Sequence, residues 1–134
     1  MDYSSNTLFK CVIIDDDQLS IDVLENFINQ IPDLHISKTF TDPAQAIIDI
    51  SENDHIDFLF LDIKMNISGL DVAKLLRDKV RFIFFVTSYD QYALDAFGAN
   101  GDKFLVKPVV FQKLQTAINE VLHRENKQKG YTVS

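Results

Sequence analysis

Cysteine is almost absent from this 134-residue chain, in which Cys11 is the single one. One cysteine excludes an internal disulfide framework and a cysteine-rich metal site. Cys11 stands in an apolar run, so we expect a small core residue and not a nucleophile. A reducing compartment fits this composition, and the expected location is the cytoplasm.

Basic residues are also scarce, since 13 Lys and Arg face 20 Asp and Glu and leave a formal net charge of −7. Such a chain repels phosphate backbones, so we expect DNA contact only through an effector domain that this sequence does not contain. Long apolar runs are missing, and none reaches the ~20 residues of a membrane-spanning helix. The segment Met1–Lys10 does not resemble a secretion signal.

Short apolar runs instead recur along the chain, and they are typical of strands buried on both faces of a parallel sheet. One run differs, because Leu34, Ile36, Lys38 and Phe40 alternate with polar residues and predict an edge strand with those four on one side. The predicted strands are β1 (10–15), β2 (34–40), β3 (57–62), β4 (81–87) and β5 (102–106).

Between the strands the apolar period becomes helical. Asp42-Pro43 is a helix cap followed by proline at the first helical position. The predicted helices are α1 (17–30), α2 (43–53), α3 (69–78), α4 (89–97) and α5 (109–126). Fivefold alternation of strand and helix predicts one α/β domain, a doubly wound parallel sheet with helices on both faces.

Polar residues stand where four of the strands end. Ligands of such sheets bind beyond the carboxyl ends of the strands. If β1 and β3 are neighbours, the two strands lie about 5 Å apart and Asp15, Asp16 and Asp62 share one pocket, where a divalent cation such as Mg²⁺ offsets their repulsion. Thr87 after β4 and Lys107 after β5 add a hydroxyl and a positive charge. This set suits phosphoryl transfer, in which a carboxylate can be the nucleophile.

At these residues the sequence resembles the receiver domain of bacterial two-component response regulators, over residues 10–124. The motifs are Val12–Asp17, Leu59–Met65, Phe85–Ser88 and Phe104–Pro108. The segment from Thr87 to Phe97 is similar to receivers that precede LytTR-type DNA-binding domains. The resemblance implies a flavodoxin-like fold with five strands in the order 2-1-3-4-5 and five helices.

The resemblance also implies a signalling switch and not an enzyme acting on other molecules. Asp62 would be the phosphoacceptor, taking its phosphoryl group from a sensor histidine kinase and catalysing only its own phosphorylation and dephosphorylation. Mg²⁺ would be held by Asp15, Asp16, Asp62 and the backbone carbonyl of Lys64.

The remaining roles fall on the ends of β4 and β5. Thr87 and Lys107 would bind phosphoryl oxygens, and Phe104 would be the switch aromatic that turns inward with Thr87 on activation. The peptide bond between Lys107 and Pro108 would be cis. Activation would reshape the face formed by α4, β5 and α5, a candidate homodimer surface that includes Tyr89, Tyr92 and Phe97.

One departure from the family pattern concerns the loop Met65–Gly69, which lacks the usual proline and is one residue shorter. Beside this loop, Lys64 is a candidate for controlling the access of hydrolytic water. The expected organisation is an N-terminal extension over 1–9, a receiver domain over 10–126, and a tail or start of a linker over 127–134.

Two other functions fit parts of the same pattern. A phosphorylation-independent interaction module would keep the fold, and the aberrant loop favours it. A haloacid-dehalogenase-type phosphatase would use Asp15 as its nucleophile, with Thr87 and Lys107 as later motifs. Mapping the aspartate that becomes phosphorylated separates these alternatives.

Overall fold

The computed structural model describes residues 8–88, residue 95 and residues 101–128. Five parallel strands in this part of the chain form one sheet in the order β2-β1-β3-β4-β5, which confirms the predicted fold. The central pair is therefore β1 and β3. The strands span Phe9–Ile14 (β1), Leu34–Phe40 (β2), Ile56–Leu61 (β3), Val80–Thr87 (β4) and Lys103–Val106 (β5).

Four of the five predicted helices lie within these residues, and three of them, α1, α2 and α3, are shorter than predicted. A 3-10 turn over Glu52–Asp54 follows α2, and another over Arg77–Lys79 follows α3. The predicted α4, with Tyr89, Tyr92 and Phe97, lies outside the described residues except for Asp95, which is helical. The helices span Gln18–Ile28 (α1), Pro43–Asp49 (α2), Gly69–Leu76 (α3) and Phe111–Gln128 (α5).

Side-chain caps fix where three helices begin. Asp17 accepts a hydrogen bond from the backbone N–H of Leu19, and Asp42 caps α2 in the same way with Pro43 at the first helical position. Ser68 caps α3. Each cap satisfies a backbone donor that the helix leaves unpaired. The acidic residues Asp17 and Asp42 are thus explained by helix initiation.

The core has two halves, one on each face of the sheet. Alternate strand residues point to opposite faces, so each strand contributes to both halves. On one face α1 and α5 cover a cluster rich in stacked phenylalanines, and on the other face α2 and α3 cover an aliphatic cluster. Fully buried members of the first cluster include Phe58, Phe60 and Phe84, and those of the second include Leu59, Leu61 and Ile83.

The edge strand β2 differs from its predicted pattern. Cys11 pairs with Ile36 and Val12 pairs with Lys38, so Ser37 is an extra residue at a bulge. A bulge of one residue reverses which side chains face which side of the sheet. Leu34 therefore packs in the first cluster and Phe40 in the second. The prediction that these two share one side was wrong.

Cys11 lies inside the first cluster with no exposed surface. Burial raises the pKa of its thiol to about 12, which keeps it protonated and unreactive at neutral pH. The prediction of a core cysteine is confirmed. None of the helices in the described part of the chain has the length and apolar character needed to cross a membrane.

Candidate functional site

The two central strands bring the acidic residues together. Ile14 and Leu61 are the last partners of β1 and β3, and the backbone N–H of Asp62 donates to the carbonyl of Ile14 at 3.0 Å. Oxygens of Asp15, Asp16 and Asp62 lie within 4.8 Å of one another. Asp15 is 4% exposed and Asp62 is 8% exposed, whereas Asp16 faces solvent. The clustering predicted from the strand ends is present.

Lys107 reaches this cluster from the end of β5. Its backbone N–H donates to the carbonyl of Thr87 at 2.8 Å, and its peptide bond to Pro108 is cis. Its Nζ lies 2.7 Å from Asp15 Oδ2 and 3.4 Å from Asp62 Oδ2. One ammonium group therefore bridges the end of β1 and the end of β3.

Burial and charge shift two pKa values in this site. Burial raises the pKa of Asp15 above its usual 3.8, and the hydrogen bonds from Lys107 and from the backbone of Asp17 offset this only in part. Burial lowers the pKa of Lys107, but its contacts with Asp15 and Asp62 outweigh that effect and leave the pKa above its usual 10.5. The lysine is thus fully charged at neutral pH.

The donor set fits a hard divalent cation. Carboxylate oxygens within 4.8 Å of one another repel by about 3 kcal/mol or more at an effective dielectric of 20. Three carboxylates face the single positive charge of Lys107, so a negative excess remains. Carboxylate oxygens are the ligands that Mg²⁺ prefers. Lys64, predicted to add its backbone carbonyl, is exposed in the loop after Asp62, and that role stays a prediction.

Thr87 is the last residue of β4, and Phe104 lies in β5. The Thr87 hydroxyl is fully buried, and among the described residues it has no hydrogen-bond partner. An unpaired buried hydroxyl is costly, and in many proteins such a group marks a functional site. Phe104 is half-buried and packs against the second core cluster. Thr87 is joined to the site through the backbone hydrogen bond from Lys107 to its carbonyl, and the switching roles of Thr87 and Phe104 stay predictions.

Gly69 explains how the loop Met65–Gly69 closes. Its N–H donates to the carbonyl of Ile63 at 2.7 Å, and a Cβ at this position would lie 1.9 Å from the carbonyl oxygen of Asp62. No side chain fits there without moving backbone. The loop residues Met65 and Ile67 pack against the second core cluster. The first turn of α3 therefore sits directly against the backbone of Asp62.

Sequence reasoning did not identify two residues of the site, Ser20 and Gly69. Ser20 lies in the first turn of α1, and its Oγ is 3.2 Å from Lys107 Nζ. No motif marks this serine, although the spacing of five residues from Asp15 places it near the cluster once α1 is known to begin after Asp17. The position of Gly69 depends on how α3 crosses β3, which a single sequence does not reveal.

A cavity of about 290 Å³ adjoins Lys107. It lies between α1 and the segment after β5, and its wall includes Leu19 and Val23, whose side chains are 69% and 46% exposed. Lys107 and Ser20 also line it. A partner that reaches the acidic cluster from this side meets an apolar surface next to a cation.

Comparisons with known proteins agree with this geometry. The chain is 32% identical over 125 residues to the sensory transduction protein LytT of Enterococcus faecalis, covering 91% of this chain and 50% of LytT. It is 30% identical over 123 residues to the transcriptional regulatory protein BtsR of Escherichia coli K12, covering 90% of this chain and 51% of BtsR. The chain thus spans about half the length of these relatives.

Solved structures show the same fold. The REC domain of AraT, a response regulator from Geobacillus stearothermophilus, superimposes with a TM-score of 0.77 and 25% identity, covering 92% of this chain and 99% of that domain. The family model of the response regulator receiver domain matches residues 11–119, which is most of the chain. The family that the sequence motifs indicated is confirmed, and the chain belongs to the response regulator receiver domains.

Proposed function

We propose that Asp62 accepts a phosphoryl group from a phosphohistidine of a sensor kinase. The observation that carries this proposal is the Lys107 ammonium bridging Asp15 and Asp62 beside a third carboxylate. A carboxylate oxygen of Asp62 forms the new P–O bond as the P–N bond breaks. The departing imidazole nitrogen keeps the electron pair of that bond, and Asp62 becomes an acyl phosphate.

The other site residues would stabilise the transferred group. Mg²⁺, held by Asp15, Asp16, Asp62 and the carbonyl of Lys64, would neutralise charge on the phosphoryl oxygens. Lys107 is already beside Asp62 and would pair with one phosphoryl oxygen. Thr87 would donate its buried hydroxyl to another, which gives that group the partner it lacks among the described residues.

We place the contact with the kinase beside the 290 Å³ cavity. The donor histidine must approach Asp62, so its neighbours must touch the surface around the cluster. Leu19 and Val23 on α1 offer exposed apolar side chains there. Apolar residues on the donor protein would cover them.

The output would pass through Thr87 and Phe104 to the face formed by α4, β5 and α5, where we propose homodimerisation or partner binding. Val106 and Val110 on this side are 45% and 53% exposed, which leaves apolar surface for a second copy. Sedimentation at several concentrations, with and without beryllofluoride, tests this step. A monomer in every condition would rule out phosphorylation-driven dimerisation.

At the scale of the whole protein, we propose that residues 10–126 form the receiver unit of a cytoplasmic transcription regulator, with 1–9 as an extension and 127–134 as a tail or linker. LytT and BtsR are about twice as long as this chain. The net charge of −7 leaves DNA contact to an effector domain.

The decisive experiment maps the modified aspartate. The chain is incubated with acetyl phosphate and Mg²⁺, reduced with borohydride to convert aspartyl phosphate into homoserine, and digested for mass spectrometry. We expect homoserine at position 62 and none in the Asp62→Asn variant. Asp49→Asn, an exposed carboxylate on α2, is the matched control and should be modified like the wild type.

The two alternative functions predict different results. Homoserine at position 15 would support the phosphatase-type mechanism with Asp15 as nucleophile. No modification, together with no saturable binding of Mg²⁺ and beryllofluoride, would support the phosphorylation-independent interaction module.

A further inference from the structure

Lys107 has one acceptor for each of its three ammonium protons. Two are the carboxylates of Asp15 and Asp62, and the third is Ser20 Oγ at 3.2 Å. An ammonium group has three donors and no acceptor, so this set satisfies it completely. The hydroxyl is the only neutral member of the three, and it stands on α1.

The direction of the Ser20 contact is determined by its other partner. Ser20 Oγ lies 3.0 Å from Asp17 Oδ2, a carboxylate oxygen that can only accept. The single hydroxyl proton therefore goes to Asp17, and a lone pair of Ser20 is left for Lys107. The other oxygen of Asp17 caps α1 through Leu19. The ammonium position is thus connected to the start of α1.

The ammonium group of a lysine needs a fixed hydrogen-bond partner to hold its position, because the four-carbon stem of the side chain is flexible. The backbone of Lys107 is fixed by its bond to Thr87, but that bond does not determine where Nζ lies. Asp15 alone draws Nζ to 2.7 Å, while the contact with Asp62 is 3.4 Å. The third acceptor, Ser20 Oγ, restricts the ammonium group to one position between the two carboxylates.

We propose that Ser20 is a positioning residue that holds the Lys107 ammonium ready for the phosphoryl group on Asp62. This inference rests on the proposed phosphorylation of Asp62. A cation held in place before the reaction stabilises developing charge without first reorganising. The hydrogen bonds of Ser20 go to Asp17 and Lys107, so in this proposal Ser20 acts through Lys107.

The test compares Ser20→Ala with the wild type in phosphorylation by acetyl phosphate, beryllofluoride affinity and Mg²⁺ affinity. We expect phosphorylation and beryllofluoride binding to weaken about fivefold, the size of one modest hydrogen bond. Mg²⁺ affinity should stay within about twofold, since the three carboxylates keep their places. Ser20→Thr, which keeps the hydroxyl, should restore the wild-type values.

Two further variants separate positioning from a structural effect. Gln18→Ala, in the same turn of α1, removes a side-chain hydrogen bond to Asp22 and should behave like the wild type. In a Lys107→Ala background, Ser20→Ala should cause no further loss, because the residue it positions is gone.

The outcomes distinguish the two proposals. If the wild type is phosphorylated at Asp62 and Ser20→Ala matches it, the positioning role is wrong and the proposed function stands. An equal loss in Mg²⁺ affinity and phosphorylation, without rescue by threonine, would also overturn the positioning role. A wild-type chain that accepts no phosphoryl group would overturn both.

Discussion

Among the described residues, Thr87 is the buried side chain whose polar atom has no hydrogen-bond partner. Its hydroxyl is fully buried without a partner among the described residues, whereas Asp15 and Lys107 nearby are hydrogen-bonded. A buried polar group without a partner lowers the free energy of unfolding by ~1–3 kcal/mol. If the proposed function is correct, a phosphoryl oxygen on Asp62 would give this hydroxyl a partner and offset that cost.

We predict that Thr87→Val raises the free energy of unfolding of the unphosphorylated chain by about 1 kcal/mol, because valine has the same shape and no unpaired hydroxyl. The same variant should lose most of the stabilisation that beryllofluoride gives the wild type. Urea denaturation with and without beryllofluoride measures both. Thr39→Val on β2 is the matched control, and a destabilised Thr87→Val would show that the hydroxyl already has a partner.

Also at the residue scale, the sequence predicts the site residues that follow strands better than the residues that hold those side chains in position. Asp15, Asp62 and Lys107 follow apolar runs, and the parallel sheet brings all such ends to one edge. Ser20 has no such marker, because a serine in the first turn of a helix is ordinary. Its role depends on the length and direction of the Lys107 side chain, which only coordinates supply.

The elements around Asp62 are joined by a close backbone contact. The first residue of α3, Gly69, lies where a Cβ would stand 1.9 Å from the Asp62 carbonyl oxygen. The loop Met65–Gly69 is therefore compatible with the site, since α3 approaches the end of β3 without a side chain between them. This is a packing constraint on two elements and not a property of the loop alone.

We predict that Gly69→Ala lowers the free energy of unfolding by about 1–3 kcal/mol, because α3 and β3 must move apart. Helix propensity alone predicts the opposite sign, a gain of up to about 1 kcal/mol for alanine over glycine. Urea denaturation distinguishes the two, with the exposed Lys74→Ala on α3 as control. An unchanged or more stable Gly69→Ala would mean that the contact relaxes without cost.

Element prediction failed where the chain departs from regular pairing. The bulge at Ser37 sends Leu34 and Phe40 to opposite faces of the sheet, although their spacing is even. Alternation in a single sequence carries no signal for one inserted residue. The 3-10 turns over Glu52–Asp54 and Arg77–Lys79 were missed because their first residues fell inside the predicted helices 43–53 and 69–78.

Across the whole molecule, packing of the core brings carboxylates together at one edge of the sheet, where they repel one another. The two apolar clusters hold β1 and β3 side by side and so bring Asp15, Asp16 and Asp62 within 4.8 Å. Their repulsion adds to a chain that is already acidic. Lys107 compensates one charge, so cation binding at this edge should stabilise the entire domain and not only the site.

We predict that Mg²⁺ raises the Tm of the chain by a few degrees at pH 7.5. Binding at ten times the dissociation constant is worth about 1.4 kcal/mol. Asp15→Asn should remove most of this rise, because it removes one of three ligands, while Asp49→Asn should keep it. Thermal denaturation at constant ionic strength makes the comparison, and the same rise from Na⁺ alone would indicate general screening.

The stabilisation by Mg²⁺ should decrease as the pH is lowered. The pKa of Asp15 in the metal-free fold is above 3.8, so lowering the pH protonates this folded carboxyl before it protonates an unfolded one. Protonation relieves the repulsion in the metal-free fold and competes with Mg²⁺ for the same oxygen. The Mg²⁺-dependent rise in Tm should therefore be smaller in acid than at pH 7.5. An equal rise at every pH at which the chain stays folded, including pH values at which Asp15 is protonated, would place the bound cation away from Asp15.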